Sequence, residues 1–207
     1  MPAPRDRAAQ PMESVALHSR AEDNLRFIRD TMAHAGAFTN VSGAGTIGAG
    51  VIGLAASLAA PPGVIASHPR RFLAVWIAAA VVAGAISGIA IGRKSRRAGQ
   101  SLVHGPARRF ALAFVPALVA GAVLTAAFVA AGQSSLLPGT WLSVYGAAIA
   151  AGGAMSVRPV PVMGCAFIVL GALCFALPVQ AQQLALAAGF GGFHLVFGLH
   201  IMRHHGG

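Results

Sequence analysis

The sequence has very few acidic residues, and all of them lie near its beginning. Of 207 residues only five are Asp or Glu, and they are Asp6, Glu13, Glu22, Asp23 and Asp30. No carboxylate side chain follows between Thr31 and Gly207. Soluble domains have about 25% charged residues of both signs, whereas this chain has 10%. The lack of acids argues against an ordinary soluble surface for most of the chain.

The missing acids also limit the chemistry of the apolar part. Its apolar runs contain no Asp, Glu or Lys. Ion-coupled carriers depend on ionisable groups at membrane depth, and cation channels use acidic rings, so the sequence argues against both. G-x-S-x-G and H-E-x-x-H motifs are missing too, and a G-x-G-x-x-G match at Gly43 to Gly48 follows no predicted strand. We therefore predict no catalytic residue, no metal site and no cofactor.

Apolar residues make up 56% of the chain and are concentrated in long runs. About 20 such residues cross the hydrocarbon core of a bilayer. The predicted fold class is all-α, a polytopic membrane domain over 41–202 followed by a C-terminal tail at 203–207. The fourth and fifth spans are short, so a crossing hairpin and a partly re-entrant one both stay open. The six predicted transmembrane helices lie at about 41–60, 72–92, 110–131, 141–157, 160–177 and 184–202.

The segment before the first span is polar and is predicted to lie in the cytoplasm. Residues 1–12 are rich in Pro and Ala and are expected to be disordered. Residues 13–36 are predicted to form a short amphipathic helix, because Ser19 and Glu22 match a capping box. Its apolar stripe consists of Leu25, Ile28, Met32 and Ala35. We expect this stripe to pack on the membrane domain or to bind the bilayer or a cytoplasmic partner protein.

A basic connector separates the second and third spans and indicates the orientation of the chain. It holds six of the 15 Lys and Arg, namely Arg93, Lys94, Arg96, Arg97, Arg108 and Arg109. These cations stand between apolar runs, which argues against a nucleic-acid partner despite the net charge of +10. With the N-terminus inside, 13 cations including Arg158 face the cytoplasm, and only Arg70 and Arg71 face the other side. This bias predicts two cytoplasmic termini, with the inner cations near anionic lipid headgroups.

Glycines are frequent in the first two spans and predict close helix contacts. In the second span Gly84, Gly88 and Gly92 recur at every fourth position. Small residues at this spacing let helix backbones approach closely in lipid. We expect a contact of this face with a helix of the same chain or of a second copy, which would make the protein a homo-oligomer. The first span contains Gly43, Gly45, Gly48, Gly50 and Gly53.

His194 is the one ionisable side chain midway along a predicted span. An imidazole surrounded by lipid and apolar side chains needs a hydrogen-bond partner. The candidates are Tyr145, a serine, or a backbone carbonyl near the glycines that precede His194. The pair His194 and Tyr145 is therefore a hypothetical polar site, which has either a structural role or a role in proton relay, ligand contact or haem ligation. A lone histidine is a poor zinc site, since zinc requires three or four ligands.

Four stretches of the sequence resemble a group of bacterial multi-pass inner-membrane proteins without an assigned function. They are NLRFIRDTM (24–32), LPGTWLSVYG (137–146), SVRPVPVMG (156–164) and GFGGFH (189–194). The resemblance covers nearly the whole chain and implies a location in the bacterial inner (plasma) membrane. It implies no activity, no cofactor and no site residues.

Three classes of function remain as expectations. The first is an integral membrane protein that is not an enzyme and acts through helix packing, lipid or partner-protein contacts. The alternatives are a carrier or channel for a neutral or anionic small solute, and a membrane enzyme or cofactor binder that uses His194. A water-filled cavity beside His194 would favour the alternatives. A solid bundle with an open groove at Gly84 and Gly88 would favour the first class.

Overall fold

A computed structural model of the chain describes residues 20, 22–28, 41–97, 106–154 and 156–205. The described residues are almost all helical and include no β-strand. The chain divides into two units, Met1–Ala37 and Phe38–Gly207. The second is called the membrane unit below. The all-helical fold class is confirmed.

The first unit contains a helical segment, α1, over residues 22–28. Its side chains are exposed, and Arg26 Nη1 lies 3.9 Å from Asp23 Oδ1 in an ion pair on its surface. Exposed pairs of this kind contribute at most about 1 kcal/mol. The predicted disordered segment 1–12 and most of the predicted amphipathic helix 13–36 lie outside the described residues.

The membrane unit, in its described part, consists of helices that follow one another with short connections. A 3₁₀ turn, Ser134–Leu136, leads into α6, and a π-helical segment, Ala187–Phe193, joins α8 to α9 without a break. The helices are α2 (Gly43–Ala59), α3 (Val64–Ser67), α4 (Pro69–Arg97), α5 (Pro106–Ala130), α6 (Leu137–Gly153), α7 (Pro159–Phe175), α8 (Val179–Leu186) and α9 (His194–His205).

Three of these helices are long and apolar enough to cross a membrane, namely Pro69–Arg97, Ala107–Ala130 and Val179–His204. Helices α2 and α7 are apolar but shorter. Helices α2, α6 and α7 each have 17 residues, which is about 26 Å of helix against a hydrocarbon core of about 30 Å. These long apolar helices indicate that the chain is a membrane protein. The count of six crossings stays a prediction.

The observed helices extend beyond several predicted spans, and prolines and caps explain where they begin. Helix α4 starts at Pro69 and α6 has Pro138 in its first turn. Proline fits there because the first amides of a helix have no intrahelical partner. Helix α2 starts after Ser42, whose Oγ accepts a hydrogen bond from the Gly45 amide at 3.2 Å. Helix α4 also runs on into the basic connector to Arg97, since cations stabilise a helix C-terminus.

The packing order of the helices places α4 and α5 on the outside. Helix α4 packs on α2, which packs on the π-helical segment and α9. Helix α5 packs on α6, and α6 forms the most extensive helix pair of the structure with α7. The α8–π–α9 helix contacts α2, α6 and α7 and so joins the two halves. Few residues of α4 and none in the apolar window of α5 are buried.

Glycines bring α6 and α7 into backbone contact. They recur at every seventh position, as Gly139, Gly146 and Gly153 in α6 and as Gly164 and Gly171 in α7. A Cβ atom at Gly146 would lie 2.7 Å from the Gly164 carbonyl oxygen. A seven-residue repeat keeps one side of each helix facing its partner. This hairpin is therefore held by an interface in which a larger side chain has no room.

The glycines of the first span have a similar role in α2. A Cβ atom at Gly43 would lie 2.5 Å from the Met202 amide nitrogen, and one at Gly50 would lie 3.0 Å from the Gly191 carbonyl oxygen. On its other side, Gly45 faces the Ala90 methyl group of α4. Helix α2 is thus enclosed between α4 and the α8–π–α9 helix.

Candidate functional site

The candidate site is built around the π-helical segment that precedes His194. This segment, AAGFGGF, contains three glycines, each of which weakens an α-helix by about 1 kcal/mol relative to alanine. Gly189 and Gly191 are buried, and a Cβ atom at Gly189 would overlap Leu142 of α6. The Phe190 carbonyl is pressed against Gly53 of α2. Single π-helical turns are rare and occur frequently at functional sites.

His194 and Tyr145, the predicted pair, meet in the structure. His194 Nε2 lies 2.7 Å from Tyr145 Oη, and the His194 side chain is only 4% exposed. The hydrogen bond is possible in either tautomer, with the phenol O–H donating to Nε2 or the Nε2–H donating to the phenol oxygen. The pair therefore joins the last long helix to the buried helix α6.

The second ring nitrogen of His194 is less well satisfied. Nδ1 is enclosed and has no partner of good hydrogen-bond geometry among the described residues. The backbone of Gly189 and Phe190 approaches the ring. The site therefore has one strong hydrogen bond and one poorly satisfied polar atom.

Aromatic rings surround the pair closely. The Tyr145 ring centroid lies 5.0 Å from that of Phe167 and 5.2 Å from that of Phe190, and His194 lies 5.3 Å from Phe167. Separations of this size are favourable for offset or edge-to-face packing. We call this group the aromatic cluster, and it consists of Phe72, Trp76, Phe114, Trp141, Tyr145, Phe167, Phe190, Phe193 and His194.

The aromatic cluster draws on α4, α5, α6, α7 and the π-helical segment, so it connects most of the bundle. Phe72 stacks on Trp141 with centroids 5.6 Å apart, and Trp141 Nε1 donates to Thr125 Oγ1 at 2.9 Å. Trp76 Nε1 is buried without a partner within the described residues. Phe72 and Phe167 are almost fully buried. His194 thus lies in a densely packed aromatic core.

The described residues offer no metal site at this point or elsewhere. Among them, no group of three or more His, Cys, Asp or Glu side chains is close enough to hold a metal ion. By themselves, His194 and Tyr145 can only share the proton of the one hydrogen bond between them. The membrane unit has no acidic side chain that could orient the imidazole. The geometry fits a structural hydrogen bond between helices.

The predicted glycine face of α4 is open. A Cβ atom added at Gly84 or Gly88 would meet no atom of the described residues within 4 Å, while Gly92 is half-buried. Ile77 and Val81 on the same side are exposed. The predicted close contact is therefore not made within the described part of this chain.

The predicted headgroup cations lie at helix ends, away from His194. Arg93, Arg96 and Arg97 are exposed in the last turns of α4. Lys94 is half-buried, and its Nζ donates to the Val41 carbonyl at 3.2 Å, so it ties the end of α4 to the start of α2. The remaining predicted cations are exposed, with Arg108 and Arg109 in the first turn of α5 and Arg158 before α7.

Comparison with protein-family models, curated proteins and solved structures finds no match to this chain. The resemblance to bacterial multi-pass membrane proteins therefore stays a prediction from the motifs. No role can be transferred to His194, Tyr145 or the glycines from a relative. The function has to be inferred from the geometry.

Proposed function

We propose that this chain is an integral membrane protein that is not an enzyme and acts through helix contacts in the bilayer, with a second copy of itself bound at the glycine face of α4. This glycine face consists of Ile77, Val81, Gly84 and Gly88. The observation that supports the proposal is the open space at both glycines on a helix long enough to cross a membrane.

The inner side of α4 shows how this protein makes close helix contacts. A Cβ atom at Gly45 of α2 would lie 2.8 Å from the Ala90 Cβ, and one at Gly48 would lie 2.8 Å from Ile86 Cγ2. Lipid tails are as apolar as leucine, so helices associate in membranes by close van der Waals packing. The glycine face offers the same small residues on the outer side of the same helix. The α4 helix of a second copy has the same small residues and therefore matches the shape of this face.

The packing around His194 also favours this class over the alternatives. His194 is enclosed by aromatic rings and bonded to Tyr145. A carrier site or a haem ligand needs free space beside the imidazole. Apart from the poorly satisfied Nδ1 of His194, the described residues provide no observation that supports a solute pathway or a cofactor.

Leucine at both glycines is expected to weaken self-association at least about tenfold, since two added side chains prevent the backbones from approaching. The Gly84→Leu, Gly88→Leu double variant would be compared with the wild type by energy transfer between labelled copies in liposomes, over a series of lipid dilutions. Ala78→Leu is the matched control, because Ala78 is exposed on α4 but points about 100° away from the two glycines. A wild type that stays monomeric at every dilution, or an equal loss in Ala78→Leu, would overturn the proposal.

We further propose that the chain lies in the bacterial inner (plasma) membrane with both termini in the cytoplasm. The distribution of 13 cations on one predicted side and two on the other supports this orientation. In it, residues 13–36 are accessible to a cytoplasmic partner protein and the cations of the connector lie near anionic headgroups. The absence of stacking aromatic residues among those cations argues against a nucleic-acid partner.

A reporter that is active only in the cytoplasm should be active when fused after Gly207 and inactive when inserted after Gln133, in the connection between α5 and α6. The expected difference is all-or-none, because the two positions lie on opposite sides in the six-span arrangement. A second reporter that is active only outside the cytoplasm provides the control with the reverse pattern. Activity of one reporter at both positions would contradict the proposed arrangement of α5 to α9.

A further inference from the structure

A groove at one end of the bundle combines an apolar floor with a positive rim. It has a volume of about 570 Å³ and lies between the α6–α7 connection, the start of α7 and the first two turns of α9. The residues used below line it, namely Arg158, Val162, Val196, Phe197 and His200. It is separate from the hydrogen bond between His194 and Tyr145.

The membrane unit has no acidic side chain that could pair with the positive charge at this groove. Arg158 is exposed, and no acidic side chain occurs anywhere after Asp30. His200 stands on the opposite wall, where the His204 ring stacks on it with centroids 4.4 Å apart. An arginine side chain presents its donors in a fork that fits a phosphate group. A ligand that matches the charge of this rim is therefore an anion.

The apolar residues of the groove lie one helical turn deeper than its rim. On α7, Val162 follows Arg158 by four positions, and on α9, Val196 precedes His200 by four, which is about 6 Å along each helix. Val162 and Val196 are 57% and 67% exposed, although they are apolar. Both the α7 wall and the α9 wall of the groove therefore present a polar side chain at the surface and a valine one turn below it. A phospholipid has the same order, with a phosphate above acyl chains.

We propose that this groove is a binding site for an anionic phospholipid. Its phosphate contacts Arg158 beside His200, and the upper part of an acyl chain covers Val162, Val196 and Phe197. The occupant comes from the surrounding leaflet, because only an amphiphile satisfies the rim and the floor together. This site does not depend on self-association through α4.

The test is binding of single lipids to the full-length chain in detergent, measured by native mass spectrometry. Phosphatidylglycerol and phosphatidylcholine with identical acyl chains are the two probes. We expect phosphatidylglycerol to bind more tightly, and Arg158→Gln to weaken its binding about fivefold. Phosphatidylcholine, whose phosphate charge is offset by the choline cation, should lose less affinity. Arg158→Lys should retain most of the preference. Val196→Trp, which fills the floor, should weaken both lipids.

The matched control is Arg70→Gln, which removes an exposed arginine from the start of α4. The proposal is overturned if the two lipids bind equally to the wild type, or if Arg70→Gln and Arg158→Gln lose the same affinity. It is also overturned if Val196→Trp leaves binding unchanged. Competition by inorganic phosphate at concentrations equal to the lipid would also overturn it, because the rim would then bind a free anion rather than a lipid. Unchanged thermal unfolding of each variant confirms that the fold is intact.

Discussion

Gly164→Leu is expected to destabilise the membrane unit by about 3 kcal/mol or more, at the upper end of the cost of overpacking. A Cβ atom at this position would lie 2.5 Å from the Ala150 amide nitrogen and 2.7 Å from the Gly146 carbonyl oxygen. Both are backbone atoms of the facing helix, so they cannot yield by a change of rotamer. The leucine therefore fits only if the backbones of α6 and α7 move apart at this position.

Thermal unfolding in detergent at low protein concentration measures this effect, with Gly88→Leu as the matched control. Both changes replace a helical glycine with leucine, and both gain the same intrinsic helix propensity. A Cβ atom at Gly88 has no neighbour among the described residues within 4 Å. Gly88→Leu should therefore unfold close to the wild-type temperature. Equal unfolding temperatures for the two variants would mean that the α6–α7 interface is looser than the structure has it.

The positions of the helices were predictable because their signal is local. Each of the six predicted spans overlaps an observed helix of the membrane unit. A run of apolar residues bounded by Pro, Gly and cations is visible in the sequence without any knowledge of neighbours. The ends were less predictable, as in α6, where the predicted span begins at about residue 141 but the helix begins at Leu137.

The contacts between helices were less predictable because they depend on which side of each helix has a neighbour. The spacing of four at Gly84 and Gly88 predicted a close helix contact, yet that face is open within the described residues. The closest backbone contacts of α6 and α7 involve Gly146 and Gly164, which belong to repeats of seven. A search for that period would have identified them. A spacing of four by itself does not distinguish a glycine that faces a helix from one that faces lipid, as Gly84 and Gly88 show.

The sequence was sufficient to name Tyr145 among the candidate partners of His194, but not to predict the aromatic rings around the pair. The chain has one tyrosine, and an imidazole in an apolar span has few other partners. The π-helical segment, Ala187–Phe193, has no reliable signal beyond its glycines. Its geometry depends on close contacts with α2 and α6, such as those of Gly53 and Leu142. These are set by the whole bundle.

The hydrogen bond between His194 and Tyr145 leads to a second prediction of large effect. Tyr145→Phe alone leaves His194 without its partner in an aromatic core, and His194→Phe alone leaves the phenol hydroxyl unpaired. A buried polar group without a partner costs about 1–3 kcal/mol, whereas replacement of both partners by apolar groups of similar shape is nearly neutral. We therefore expect each single variant to lose stability and the double variant to recover most of the loss.

Unfolding of the wild type, both single variants and the double variant in detergent gives the coupling free energy of the pair. In membrane proteins such couplings average about 0.6 kcal/mol and reach about 1.7 kcal/mol, and the enclosed pair should lie near the upper value. Thr125→Val, which breaks the separate bond from Trp141, serves as control and should add to Tyr145→Phe without coupling. If His194→Phe and Tyr145→Phe are also additive, each side chain has its own partner, such as an ordered water or a bound ligand. That result would revive the alternatives in which His194 takes part in relay or cofactor chemistry.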